Sequence, residues 1–320
     1  MVDATMIKIV EPLVSIIIPV FNRESLVLDA IDSALNQTYK NIEIIVIDNK
    51  SLDNTWRNIQ KYKIDKRIKL FQNSSNIGPV LNWKRGIEYS SGKYVKLLFS
   101  DDMIAPNYIQ NSIKCFDESC AFVFSDIRLL VSDKLLRVQS FFKTKYTTFE
   151  YMRSVLSDNI EGFPVSPGAA LYRRKDVIDS LICSNIPNES SLESLKNGAG
   201  NDLLIYLLLC NKYPHIKKSR NTYVDFRIHD GSFSVRENLD HYYLWAKIYF
   251  VKNIYCGNHM VALQNALLYY VDKRLKVSKQ YVQEKNAVSA FKFSRYYYYH
   301  YFFLNILQRL YRKINNFFSK

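Results

Sequence analysis

The sequence predicts an α/β protein, a mostly parallel sheet flanked by helices, with a helical extension at the C-terminal end. Three observations lead there. Strand-like and helix-like runs alternate through the first hundred residues. The strands are continuous apolar runs, as in a sheet covered on both faces. From Asp240 onwards the pattern is helical and strongly basic.

"LVSIIIPV" (13–20) reads as a buried strand, and "ESLVLDAIDSALNQ" (24–37) as a helix with Leu26, Ile31 and Leu35 near helical spacing. "IEIIVID" (42–48) is a second strand that ends on an acid. "DNTWRNIQKYK" (53–63) reads as a helix capped by Asp53, and "RIKLFQN" (67–73) as a third strand. "GPVLNWKRGIEYSS" (78–91) is a helix with Pro79 in its first turn, and "KYVKLLF" (93–99) is the fourth strand. This order implies parallel pairing with right-handed crossovers. "CAFVFSDIRLLVSDKLLRV" (120–138) then reads as two strands around "SD", a change towards mixed pairing. A Gly/Pro turn, short strand and helix follow in 164–181, and a Gly-flanked apolar helix in 198–214. "TYVDFRIHDGSFS" (222–234) is a strand running into a polar loop. No repeat of solenoid length is present.

The 320 residues suffice for one large domain with an appendage or two modest ones. The hydrophobic fraction, 48%, is that of a packed globular protein, and the charge of +14 points to an anionic partner. Five scattered cysteines without C-x-x-C spacing suit free thiols better than disulfides or a zinc site. The first residues lack the pattern of a signal peptide, and no apolar run is long enough to span a bilayer. The last thirty residues, "FKFSRYYYYHYFFLNILQRLYRKINNFFSK", mix aromatics with Arg and Lys and hold no acid. Such a helix suits the surface of an anionic membrane, or else packs into the core.

Chemistry-bearing residues gather after the strands. The fourth strand ends in Ser100, Asp101 and Asp102. Adjacent carboxylates repel and are costly to desolvate, so a cation is expected beside them, unless the pair is simply a solvated turn. Held together they suit Mg²⁺ or Mn²⁺ on a diphosphate. Asp48 can accept hydrogen bonds from a nucleobase or ribose. "PVFNRES" shapes the loop after the first strand. Asn76 and Gly78 form a turn, and Lys84 and Arg85 on the next helix offer a positive charge to a phosphate, or a solvated face. Asp202, behind "GAGN", is placed as a helix-start cap or as a general base. Arg227, His229 and Ser232 share one loop, with side chains suited to phosphate, metal and hydrogen bonding.

"VSIIIPVFNRES", "IEIIVIDNKSLDNT", "NIGPVLNWKRG", "GKYVKLLFSDD" and "GND" stand in an order and spacing that resembles family 2 glycosyltransferases with the GT-A fold. The likeness covers residues 13–235, and the "DNKSLD" variant looks like bacterial enzymes that build O-antigen and capsular polysaccharides. The resemblance implies that Pro19, Phe21, Asn22 and Glu24 line the nucleotide. It implies that Asp48 contacts the base and that Asp101 and Asp102 match the end of the family's Asp-x-Asp region; Asn76, Lys84 and Asp101 are read as contacts to the nucleotide sugar. Asp102 would hold Mn²⁺ or Mg²⁺, completed by His229, and Arg227 and Ser232 would lie on a loop closing over the diphosphate. Asp202 would be the base of an inverting displacement. Three departures stand out: Phe99 replaces the first acid of Asp-Ser-Asp-Asp, Asn49 the second acid of an Asp-Asp pair, and Asn201 the Glu before Asp202.

The resulting expectation is a catalytic domain over residues 1–238 and a basic, aromatic helical region over 239–320. The donor is a nucleoside diphosphate sugar, most simply UDP-linked, and the acceptor a polyprenyl-diphosphate-linked glycan. The protein would sit peripherally on the inner face of the cell membrane. Nucleic acid is excluded as partner because acids at strand ends repel phosphate in the absence of a metal. A nucleotidyltransferase is disfavoured because "PVFNRES" has no glycine.

Overall fold

The structure, a computed structural model, describes residues 11–159, 161–188, 192–232 and 239–318. The opening residues 1–10, the end of the 222–234 loop and residues 319–320 lie outside them.

Ten strands form one mixed sheet: β1 (Val14–Val20), β2 (Ile42–Asp48), β3 (Ile68–Gln72), β4 (Tyr94–Leu97), β5 (Met103–Ile104), β6 (Cys120–Val131), β7 (Lys134–Gln139), β8 (Lys145–Thr147), β9 (Ala170–Arg173) and β10 (His215–Ile228). The order is β3-β2-β1-β4-β9-β6-β10-β5, with β7 on β6 and β8 on β10. β1 pairs in parallel with β2 and β4, β2 with β3, and β6 with β10. β9 lies antiparallel between β4 and β6. Six strands therefore point the same way, and their C-terminal ends share one edge, where open α/β sheets bind ligands. "SD" at Ser132–Asp133 is the turn between β6 and β7, with both residues at positive φ.

Period-two alternation splits the apolar strands between two layers. Ile16, Ile18 and Val46 face α1 (Leu26–Leu35) and α4 (Tyr108–Ile113). Ile17, Ile45 and Leu97 face α3 (Pro79–Glu88) and the larger helical layer. Gly86 allows α3 to approach β1 closely, since a Cβ there would stand 2.5 Å from Ile17. The helix expected over 53–63 is α2 (Thr55–Ile59) followed by a 3₁₀ turn, Gln60–Ile64. Asn54 is its N-cap residue, one place after the expected Asp53, whose Oδ1 accepts the Thr55 N–H at 2.9 Å. α5 (Thr148–Ser157) begins with a capping box between Thr147 and Glu150, and α6 (Arg174–Asp179) follows β9.

α7 (Asn201–Lys212) is apolar all round, with Leu203, Leu204, Ile205, Tyr206 and Leu207 fully buried. Such a helix needs cover on every side. α8 (Asp240–Asn253) supplies part of it with Leu244, Trp245 and Ile248, and α9 (Met260–Val277), α10 (Val282–Val288) and α11 (Arg295–Phe318) complete the bundle. A single hydrophobic cluster thus runs from Ile17 in β1 to Tyr301 in α11. This cluster holds residues from both sides of the expected boundary at 238/239, so the two regions share one core.

Candidate active site

A cleft of about 860 Å³ opens along the shared strand edge, walled by the loop after β1, the N-terminal part of α3, the turn after β4, the end of β10 and the start of α7. Pro19, Phe21, Asn22, Asn76, Asp101, Asp102, Asp202, Arg227 and Ser232 all line it.

At one end Asn22, held at φ 52°, receives the Leu52 N–H on its side chain, which ties the loops after β1 and β2 together. Glu24 does the same from outside the cleft, accepting the Asn54 N–H at 3.0 Å. Asp48 is fully buried beneath the cleft. Its carboxylate takes the Ser51 hydroxyl and N–H and the Gln72 amide at 2.8 Å, so it braces the floor rather than lining it. Asn49 accounts for its own departure from the family pattern. Its amide donates to Asn76 Oδ1 at 2.7 Å and its carbonyl accepts from Asn73 and the Ile77 N–H. A carboxylate could not make the donated half of this network. Lys84 lies outside the cleft lining, because α3 turns it towards Glu88, 3.7 Å away one turn on.

The centre holds the two acids. Asp102 is buried, and its Oδ1 accepts the Arg227 N–H at 3.2 Å. Burial, then the charge of Asp101, push its pKa well above the usual carboxylate range, against the pull of Lys96 and Arg227. The expected cations are present. Arg23 Nε stands 4.0 Å from Asp101, and Lys96, wholly buried in β4, lies over the Tyr108 ring and donates to the Gly168 carbonyl. Burial brings Lys96 down to about 7, opposed by the charge of Asp102.

Two residues have partners within the protein that bear on the roles the resemblance implied. The Arg227 guanidinium is engaged within the protein: it pairs with Asp29 at 2.6 Å, donates to the Leu26 carbonyl at 3.0 Å and, through Nε, to the Asp101 carbonyl, clamping β10 to α1 and to the turn after β4. Arg23, which sequence reasoning missed, is a second arginine of the cleft wall, held by the Gly231 carbonyl at 2.8 Å. His229 faces Asp101, with Nε2 3.1 Å from Oδ2. Its Nδ1 accepts the Gly231 N–H at 3.1 Å, so a neutral ring carries its proton on Nε2 and presents a donor there, not a metal-binding lone pair. Ser232 closes this turn by accepting the His229 N–H at 3.0 Å.

These donors can be tested for a metal. Among the described residues no three His, Cys, Asp or Glu side chains converge on one point. Two carboxylates whose mutual repulsion a dication would relieve do fit Mg²⁺ or Mn²⁺, which commonly take one or two protein carboxylates and fill the remaining positions from water and substrate phosphates. Phe99 packs on Trp83, ring centroids 5.6 Å apart, and forms an apolar wall where the family pattern has its first acid.

At the far end, Gly200 at φ 85° starts α7 and turns Asp202 into the cleft. Asp202 Oδ1 accepts the N–H groups of Gly200 (2.8 Å) and Leu203 (2.7 Å), and Oδ2 accepts the Tyr243 hydroxyl at 2.8 Å. Burial raises its pKa to about 7, with these donors pulling the other way. Tyr243 comes from α8, in the region read as an appendage. No local signal marks it among 24 tyrosines.

The fold is shared with solved structures. The chain superposes on S. aureus TarS in complex with UDP-GlcNAc with a TM-score of 0.65 and 16% identity, over 94% of this chain and 91% of that one. The TarS complex with UDP gives 0.60 at 18% identity, over 83% and 73%. The class is therefore a GT-A-type fold. The sequence profile described as Glycosyl transferase family 2 matches residues 15–181, just over half of the chain, and the protein belongs to that family. Relatives include a Bacillus subtilis protein named as a teichuronic acid biosynthesis glycosyltransferase, TuaG, 33% identical over 125 residues (38% of this chain, 50% of that one). An uncharacterized glycosyltransferase of Rickettsia bellii is 42% identical over 112 residues (35% and 16%), and one of Haemophilus influenzae 37% over 109 (34% of each). The matched stretch spans half or less of each of these relatives.

Proposed function

We propose that the protein transfers a sugar from a nucleoside diphosphate donor, UDP-linked in the simplest case, to a hydroxyl of a bacterial surface polysaccharide, with inversion. The carrying observation is Asp202, a cleft carboxylate whose pKa of about 7 suits a general base near neutrality. It takes the proton of the acceptor hydroxyl as that oxygen bonds to the anomeric carbon and the diphosphate leaves. Tyr243 and two backbone N–H groups hold the carboxylate in place. Asp101 and Asp102 would hold Mn²⁺ or Mg²⁺, which when bound neutralises charge on the diphosphate. The name of TuaG and the UDP complexes of TarS support the polysaccharide and nucleotide classes.

The acceptor in this reading is polyprenyl-diphosphate-linked, and α11 brings the site to the membrane surface. No helix among the described residues is long and apolar enough to cross a membrane. Tyr301 is buried, with its hydroxyl on the Ala262 carbonyl. Tyr296, Tyr299, Phe303, Leu307 and Leu310 are exposed at helical spacing, the pattern of a helix lying in an interface.

Asp202→Asn tests the central assignment. Transfer should fall by about 10²–10⁴-fold while nucleotide binding persists, and near-normal transfer would refute it. Replacing Tyr296, Phe303 and Leu307 together by Ser should release the protein from anionic vesicles; undiminished partitioning removes α11 from the reading.

A further inference from the structure

A second recess, of about 550 Å³, lies at the opposite end of the sheet from the cleft. It is walled by the end of α4, the residues around β8 and the first half of β10. The β6 partners of Lys217 and Arg227 are Val123 and Leu130, so the recess lies seven strand residues from the cleft, roughly 23 Å at the usual rise of a strand. Five cations line it: Lys114, Lys145, Lys217, Lys218 and Arg220. Two are matched, Lys217 by Asp117 and Lys218 by Asp126 at 2.7 Å. Among the described residues Lys114, Lys145 and Arg220 have no acidic partner, and all three are exposed. Three charges without an acidic partner among the described residues create a positive field on one concave surface.

The backbone beneath is shaped as well. β10 uses four residues, 219–222, where its partner β6 uses only Ser125. Asn221 sits in this bulge at φ 55°. Two side chains of α4, one from its N-cap and one a turn further on, hold the bulge: Asn107 donates to the Asn221 carbonyl at 3.0 Å and Asn111 to the Arg220 carbonyl at 3.2 Å. Bulges re-aim side chains, and this one places Arg220 at the recess.

We propose that the recess is a second anion site, distinct from the nucleotide-sugar cleft, that takes a phosphate group. Arginine and paired lysines match phosphate oxygens in charge and hydrogen bonding. The phosphate comes from a phospholipid headgroup or from a soluble phosphate compound. A line of contacts joins the recess to α11: β8 leads into α5, Phe149 of α5 stacks on His259 (4.0 Å), and α9, starting there, carries the Ala262 carbonyl that Tyr301 binds.

The test uses the full chain, wild type against Lys114→Ser/Lys145→Ser/Arg220→Ser. These exposed positions should leave the melting temperature unchanged. One arm titrates sodium pyrophosphate without divalent metal; any binding in the cleft is common to both proteins and cancels. The other measures partition onto phosphatidylcholine vesicles with and without phosphatidylglycerol. The variant should bind about a hundredfold more weakly in one arm, at the usual contribution of a surface cation. Loss with pyrophosphate assigns a soluble phosphate, and loss confined to phosphatidylglycerol vesicles assigns a headgroup. Equal behaviour of the two proteins in both arms overturns the proposal. Because neither arm reads sugar transfer, failure here leaves the catalytic reading standing, and the reverse also holds.

Discussion

Two carboxylates stand apart in one cleft, Asp102 at its centre and Asp202 at its far end, both buried and both raised in pKa by that burial, yet their surroundings differ. Asp102 has another acid for a neighbour, and burial and Asp101 both push it upward. Asp202 has only donors around it, Tyr243 and two backbone N–H groups, which pull against burial and leave it at about 7. The repulsion from Asp101, only partly offset by Lys96 and Arg227, would be relieved by a bound cation, whereas a single carboxylate balanced near neutrality can gain and lose a proton. The same pair of opposed environments separates the roles of paired acids in many enzymes.

The most damaging change to this contrast is Asp202→Asn. It should cost about three orders of magnitude in transfer at unchanged nucleotide affinity, read by single-turnover assay. In the unaltered protein, kcat/KM should fall about tenfold per pH unit below about 7, because the carboxylate protonates as pH drops through its raised pKa. Asp102→Asn should abolish the part of thermal stabilisation by UDP that depends on Mn²⁺; a metal-dependent shift surviving the change would move the cation elsewhere. Asn49→Asp restores the family's acid but loses the hydrogen bonds to Asn76 and Gly78, and denaturant unfolding should show a loss of about 2 kcal/mol. The mildest is Tyr243→Phe. Removing a donor to the ionised carboxylate raises the Asp202 pKa further, so the acid limb of the kcat/KM profile should move to higher pH with a modest change in kcat at alkaline pH. An unmoved limb would mean that Asp202 does not carry the profile.

Asp202→Asn also carries a stability signature. With a folded pKa raised above its unfolded value, the native state holds the Asp202 proton more tightly. The stability this provides is full below the unfolded value near 3.8 and lost as pH rises through about 7. The Asn variant should therefore gain on wild type across that window, as measured by melting temperature against pH.

Much of the fold could be read from the chain. Continuous apolar strands separated by amphipathic helices state a two-faced parallel sheet, and acids after such strands state the edge where a site forms. The roles of individual side chains were less legible. Arg227 has the right chemistry for phosphate, but Asp29, 198 positions away, claims its guanidinium. His229 has the right chemistry for a metal, but the Gly231 N–H two residues on sets its tautomer. Arg23 stands in the quoted motif and shows its role only when the turn after β10 folds against it.

The sequence alone determined the order of the strands along the chain, their burial and the candidate acids, because period and spacing are local properties. Tertiary structure decided which donors surround each acid. It joined α8 to the cleft through Tyr243, because α7 is apolar on every face and must be covered, and the helix that covers it brings its tyrosine to Asp202. Contacts between distant parts of a chain leave no periodic trace, so only packing reveals them.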